Sequence, residues 1–210
     1  MKSLTESEIL KIQEAVTQAE KHTSGEIVPL IVKKSSFTGH VFFITSLLWL
    51  LLLITLNECF KLYIFDLGLE SYTWLVALLG LIAFYYFRHS SFLLRLVTKD
   101  EELLAQVLTR AELELSRVHL TETKARTGIL IFISLLEHKC VVLADKGISD
   151  KLPPETWQKV VNAVVTGIKK GRMGEGLIDG IRLCGEILAK HLPPEPNNPN
   201  EICNRPIIKD

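Results

Sequence analysis

Apolar residues recur along this chain with three different spacings, and each predicts a different kind of element. Ile9, Ile12, Val16 and Ala19 recur at helical spacing behind two overlapping capping-box patterns, Ser3-Leu4-Thr5-Glu6 and Thr5-Glu6-Ser7-Glu8. They predict a first helix over about 5–22, stopped by Thr23-Ser24-Gly25. The run from Glu26 to Val32 then predicts a strand, and Pro29, which has no N–H to donate, marks it as an edge strand or a bulged one. Further on, Leu104, Leu108, Ala111, Leu115 and Val118 line one face of a helix over about 99–119, with Glu101 and Glu102 suited to its N-terminal dipole. Thr127-Gly128 opens a continuous apolar, β-branched run over 129–135, as a central strand requires. Residues 140–144 follow across a Glu137-His138 turn and predict an antiparallel partner. Asp145-Lys146-Gly147-Ile148 reads as a loop. Two amphipathic helices follow, over about 154–170 and 175–191, and the proline-rich stretch that begins at Pro193 predicts an irregular tail over 193–210.

Between the first strand and the second long helix the pattern is of another kind. No Asp, Glu, Lys or Arg occurs over 35–57, a run of 23 residues. As a helix it is about 34 Å long, enough for a hydrocarbon core of about 30 Å. A second uncharged run of 17 residues covers 71–87; as a helix it measures about 26 Å, the short end for a span. Neither run keeps the polar stripe of a buried core helix. Together they predict a transmembrane hairpin within 35–87, with spans at about 40–57 and 71–87 and a connector holding Glu58, Lys61, Asp66 and Glu70. A charged segment precedes the first run, so it does not read as a secretory signal. Lys33, Lys34, Arg88 and Arg95 flank the hairpin, whereas the connector has only Lys61. The basic flanks place both termini on the cytoplasmic side and suit lipid headgroups. The remaining stretches, 1–34 and 88–192, suit one α/β domain split by the hairpin.

Lys and Arg number 24 against 24 Asp and Glu, a formal charge of +0, which argues against a nucleic-acid partner. The four cysteines, Cys59, Cys140, Cys184 and Cys203, show no C-x-x-C pair, and Cys140 and Cys184 fall in apolar segments as core residues do. The six histidines lack metal-ligand spacing. No Gly-x-Ser-x-Gly occurs. Gly171-Arg172-Met173-Gly174-Glu175-Gly176 follows a helix and lacks the Gly-Lys-Ser/Thr ending of a phosphate loop, so it reads as a helix-to-helix turn.

Several of these segments resemble one family. Ala19-Glu20, followed by Thr23-Ser24-Gly25-Glu26-Ile27, is similar to the opening of the TPM domain. Arg126-Thr127-Gly128-Ile129-Leu130-Ile131-Phe132 resembles its "R.TGVLIF" strand, and Asp145-Lys146-Gly147-Ile148 its "D.GI" loop. Trp157, Gly171 with Gly176, and Asn200-Glu201 match its helix tryptophan, glycine turn and terminal "NEL". Ile202-Cys203 departs from the usual Leu-Pro, and the inserted hairpin points to a bacterial, membrane-bound subgroup. The resemblance implies an α/β sandwich with a small mixed sheet, in the bacterial inner membrane. It also implies one of three activities proposed for family members: calcium binding, dephosphorylation, or assembly and upkeep of membrane complexes.

The expectation is a non-enzymatic factor that assembles or stabilises a membrane protein complex, with the lipid bilayer as its other partner. The alternative is a phosphatase or divalent-cation-dependent hydrolase that uses Asp145. In that alternative Asp145 either ligates a hard cation such as calcium or acts as a nucleophile, with Glu26 a second oxygen ligand if the sheet brings the two together. Against it, Asp145 and Gly147 can equally form a turn while Glu26 caps backbone groups after Gly25. No D-x-D-x-D loop supplies the six to eight oxygens that calcium wants.

Overall fold

The computed structural model describes residues 4–35, 46–52, 54–55, 78, 80–82, 85, 99–194 and 200–209. The chain divides into two units, one of Met1–Ser36 with Leu104–Asp210 and one of Phe37–Leu103. In the first, a four-stranded mixed sheet lies between helices. Its strands are β1 (Glu26–Val32), β2 (Gly128–Ser134), β3 (Lys139–Ala144) and β4 (Ile207–Lys209), in the order β3-β2-β1-β4. β1 runs parallel to both β2 and β4, and β2 pairs antiparallel with β3.

Every residue of β1 and β2 is buried, because both sheet faces are covered. Alternation then assigns each side chain to a layer. Ile27, Ile31, Ile129, Ile131 and Ile133 join the core formed with α1 (Glu6–Glu20), α4 (Gln158–Lys169) and α5 (Met173–His191). Val28, Leu30, Val32, Leu130 and Phe132 pack with Val107 and Ala111 of α2 (Asp100–Arg117) on the other face. The capping box at Thr5 and Glu8 is present as the sequence predicts, with Glu8 Oε2 accepting from the Thr5 N–H at 2.8 Å. A 3-10 turn over Pro154–Trp157 leads into α4. The helix-to-helix turn between α4 and α5 carries Gly171 at φ 72°.

Three expectations are corrected. First, β1 lies inside the sheet, and the proline fits there for a geometric reason. The Glu26 N–H bonds Thr127 O and the Lys33 N–H bonds Lys209 O, so even-numbered residues address β2 and odd-numbered ones the β4 side. Pro29 therefore turns its missing N–H toward β4, just ahead of the paired stretch that starts at Leu30. Second, the Asp145 loop is a short helix, α3 (Lys146–Ser149), with Asp145 as its N-cap. Third, the tail read as irregular ends in β4, because Ile207 is drawn into the α2 core and the backbone pairs with β1.

Of the predicted spans, residues 46–52, 54–55, 78, 80–82 and 85 are described and helical; the rest of 36–98 lies outside the described residues. Among the described residues, no helix is long and apolar enough to cross a membrane.

Candidate functional site

Several polar groups that the sequence singles out meet at one end of the sheet, where β1 and β2 begin and β3 ends. A local knot places them. Thr23 Oγ1 donates to Leu192 O at 2.7 Å, tying the start of β1 to the end of α5. Thr127 Oγ1 donates to Ser24 O at 2.9 Å, tying it to the start of β2.

Asp145 is 4% exposed, and its carboxylate accepts three hydrogen bonds. Arg126 donates from Nη2 to Oδ1 at 2.9 Å and from Nε to Oδ2 at 3.1 Å, a bidentate pair. Oδ1 also accepts the Lys146 N–H at 2.7 Å, capping α3. The Asp145 N–H itself bonds Gly128 O at 2.8 Å, which fixes the residue beside β2.

Glu26, also 4% exposed, belongs to a different set. Its Oε1 accepts the Glu201 N–H at 3.4 Å. The Asn200 amide, oriented with its nitrogen inward, donates to Glu26 Oε2 at 3.2 Å. Glu20, in the last turn of α1, completes the set. Its Oε1 accepts the Ile27 N–H at 2.8 Å and its Oε2 accepts Asn204 Nδ2 at 2.7 Å, while Asn204 also donates to Thr17 Oγ1 at 3.0 Å. Burial pushes Glu20 up to about 8, with the charge of Glu26 adding to the rise and the Ile27 and Asn204 hydrogen bonds opposing it. Burial also raises Glu26, and the Glu201 charge works in the same direction. Residues 200–204 are thereby held over one buried carboxyl group, Glu26, and one partly buried, Glu20.

The geometry answers the sequence reading residue by residue. Register sets Glu26 beside Gly128, whose carbonyl bonds the Asp145 N–H, so both acids stand at the same end of the sheet. Their carboxyl groups nonetheless bond different partners, Asp145 with Arg126 and Lys146, Glu26 with Glu201 and Asn200. This is also the N-terminal end of the parallel strands. The ligand-gathering rule for open α/β sheets concerns the opposite, C-terminal end, so it gives Asp145 no support. Among the described residues, no group of three or more His, Cys, Asp or Glu is arranged to hold a metal ion.

Glu20 and Asn204 are missed by sequence reasoning. Glu20 stands in the quoted Ala19-Glu20 pair, and its place in the last turn of α1, just ahead of β1, is the signal that could have found it. Asn204 lies in the tail read as irregular and carries no such signal.

The other reactive groups have structural uses. Glu114 is wholly buried and pairs with Arg110, Arg117 and Lys209. Burial alone would raise its pKa, but the Lys209 hydrogen bond and charge, helped by Arg110 and Arg117, hold it below the usual carboxylate range. Burial pushes the Cys140 thiol up to about 12 and Cys184 upward as well, consistent with core residues that do not act as nucleophiles.

Comparison with known proteins adds the following. Residues 96–187 match the family model of the TPM domain. The NMR structure of BA42 protein from the psychrophilic bacterium Bizionia argentinensis is similar in fold, with a TM-score of 0.61 and 23% sequence identity over 100% of this chain and 97% of that one. No curated protein matches the chain.

Proposed function

We propose that the whole chain is a TPM-domain protein anchored in the bacterial inner membrane by a hairpin within 35–87, with both termini and the domain cytoplasmic. Its role is to assemble or stabilise a membrane protein complex without catalysing a reaction. The matched family model covers 96–187, and the motifs outside it support extending the assignment. Glu26 in the first and Asn200-Glu201 in the last bond each other across the sheet end.

The observation that carries the non-enzymatic reading is the commitment of Asp145. A nucleophile or cation ligand needs a free lone pair with room to approach it, and burial plus three accepted hydrogen bonds leave Asp145 about one of its four acceptor positions. Both oxygens of this carboxylate are taken by the Arg126 fork, and one of them also caps α3. Its replacement tests the reading. Asp145→Asn keeps a good cap and loses one charge beside a half-exposed arginine, so it melts within a few degrees of the parent, whereas Asp145→Ala loses about 1 kcal/mol with the cap. Release of phosphate from a generic aryl phosphate, measured with calcium, magnesium or manganese present, is expected to stay at background for parent and variants alike. Metal-dependent release by the parent that Asp145→Asn abolishes would establish the hydrolase instead.

Anchoring is supported by the described part of the first apolar run. Leu47, Leu48, Leu50 and Leu51 are each 55–63% exposed. At 100° per residue these four positions fan over an arc of about 160°, and so broad an exposed apolar face suits lipid better than water. A reporter active only in the periplasm should give signal when inserted in the 58–70 connector and none when fused after Asp210. Signal after Asp210 would defeat the hairpin topology.

A further inference from the structure

We infer that the groove between α1 and α5 is a docking surface for a second copy of this chain, the two copies related by a two-fold axis that runs along the groove. The inference concerns the folded domain and does not depend on the membrane-anchored reading.

The two helices lie side by side and point the same way. A Cβ added at Gly174 would lie 3.2 Å from Glu8 Cγ, and one added at Gly185 would lie 2.7 Å from Ala19 Cβ. Glu8 and Ala19 are as far apart along α1 as Gly174 and Gly185 are along α5, so one register holds over the whole pair. An open groove of about 610 Å³ runs between them. The small residues Ala15, Ala19, Gly185 and Ala189 line it and are buried or half-buried. Its rims are charged and exposed. Lys11, Glu14, Gln18 and His22 recur at spacings of three and four and form one stripe of α1. Arg182 and Glu186 form the rim on α5, and Asp179 continues that stripe just outside the groove. Among the described residues Lys11, Glu14 and Glu186 make no ion pair, and Arg182 reaches Asp179 of its own helix only at 3.9 Å.

The order of these charges selects the occupant. By the register of the pair, Asp179, Arg182 and Glu186 stand about two residues, or about 3 Å, beyond the levels of Lys11, Glu14 and Gln18. A two-fold axis along the groove lays α1 of each copy over α5 of the other, both pointing the same way. Lys11 then faces the partner's Asp179, Glu14 faces the partner's Arg182, and Gln18 with His22 faces the partner's Glu186. Symmetry makes every contact twice, and no like charges meet. The other face-to-face axis runs across the groove and lays α5 antiparallel on α5. Centred on the groove, it sets Arg182 against the partner's Arg182 and Asp179 against the partner's Glu186, and like charges repel it. The complement that this face needs is the face itself, turned about the groove.

Size sets the strength. α1 is about 22 Å long and two adjacent helices are about 20 Å wide, so the face offers roughly 450 Å² per copy, short of the about 800 Å² of a permanent interface. The dimer is therefore transient, with a dissociation constant on the order of 100 µM.

The full chain in mild detergent, with Cys59 and Cys203 changed to serine, tests this. Two batches carrying one added cysteine each, Glu14→Cys and Arg182→Cys, are oxidised separately and as a mixture. The expected result is a disulfide-linked dimer that forms in the mixture and exceeds the yield of either batch alone several-fold. Charge reversal gives a second reading, by sedimentation equilibrium. Glu14→Arg and Arg182→Glu should each weaken self-association about tenfold, because the two-fold repeats the repulsion, and the two changes together should restore it. All three variants should melt with the parent, since both side chains are exposed. A chain that stays monomeric at about 1 mM, ten times the expected dissociation constant, would overturn the inference. So would linkage as strong in a single batch as in the mixture, or an association that ignores both reversals.

Discussion

Gly147→Ala is expected to destabilise the domain by about 3 kcal/mol, which for a domain of this size lowers the melting temperature by roughly 10 °C. An added Cβ would lie 2.4 Å from Ala125 O, 2.7 Å from Arg126 O and 3.1 Å from Arg126 C. All three are backbone atoms and cannot rotate aside, so the loop itself must move. That loop is already constrained. Arg126 sits at φ 53°, its N–H bonds Thr123 O at 2.9 Å, and its carbonyl accepts the Gly147 N–H at 2.9 Å. Pushing it outward strains the left-handed residue and pulls the guanidinium from Asp145. Gly147→Val should leave no cooperative transition. Gly171→Ala is the control, because Gly171 has φ 72° and nothing within 4 Å of its would-be Cβ. It bears only the left-handed penalty, about 1 kcal/mol. Equal melting shifts at the two positions, followed by circular dichroism, would show that close approach at Gly147 is not what matters.

This glycine illustrates what the chain discloses by pattern and what it withholds. The Asp145-to-Ile148 segment stands out in sequence, but as a loop with a candidate ligand. That its glycine admits the Arg126 backbone, and that its aspartate takes the Arg126 guanidinium, depends on a residue far back in the chain, ahead of β2. Periodicity, by contrast, is a local property. The spacing of Ile9, Ile12 and Val16, and the unbroken run from Ile129 to Ile133, were enough to place α1 and β2, since each element buries the face that its own pattern defines. Pro29 misled for the complementary reason. Proline removes one donor on one side of the strand, and only the partner's starting point, Leu30 opposite Ile207, says whether a ladder bond is lost. β4 was invisible because three residues after a proline-rich stretch carry no period. Only pairing with β1 and the packing of Ile207 make it a strand.

The carboxyl cluster leads to a pH dependence whose sign is unusual for acids. Burial pushes the folded-state pKa of Glu20 up to about 8, against about 4.5 for an ordinary glutamate in water. The folded state therefore holds a proton that the unfolded chain has released between those values. Its contribution is fully present below about 4.5, declines as pH rises toward 8, and is gone above it, with a limiting slope of about 1.4 kcal/mol per pH unit. Glu20 keeps partial contact with water, which reduces the total to a few kcal/mol at most. Glu20→Gln removes the titration. Its amide oxygen still accepts the Ile27 N–H, but its amino group cannot accept from Asn204, a loss of about 1 kcal/mol at every pH. The variant should thus melt below the parent at pH 5 and above it at pH 9, the two curves crossing between. Glu26→Gln should lower the Glu20 midpoint, because the nearby carboxylate helps to raise it. The same melts decide the calcium question. A cation between Glu20 and Glu26 would favour the ionised pair, so added calcium would raise stability most at high pH, by about 2.7 kcal/mol at a hundredfold excess over its dissociation constant. The expected outcome is that neither calcium nor magnesium moves the curve. A calcium-dependent rise that Glu26→Gln removes, with Asp145→Asn indifferent, would make the tail-covered carboxyls a cation site and displace the assembly role from first place.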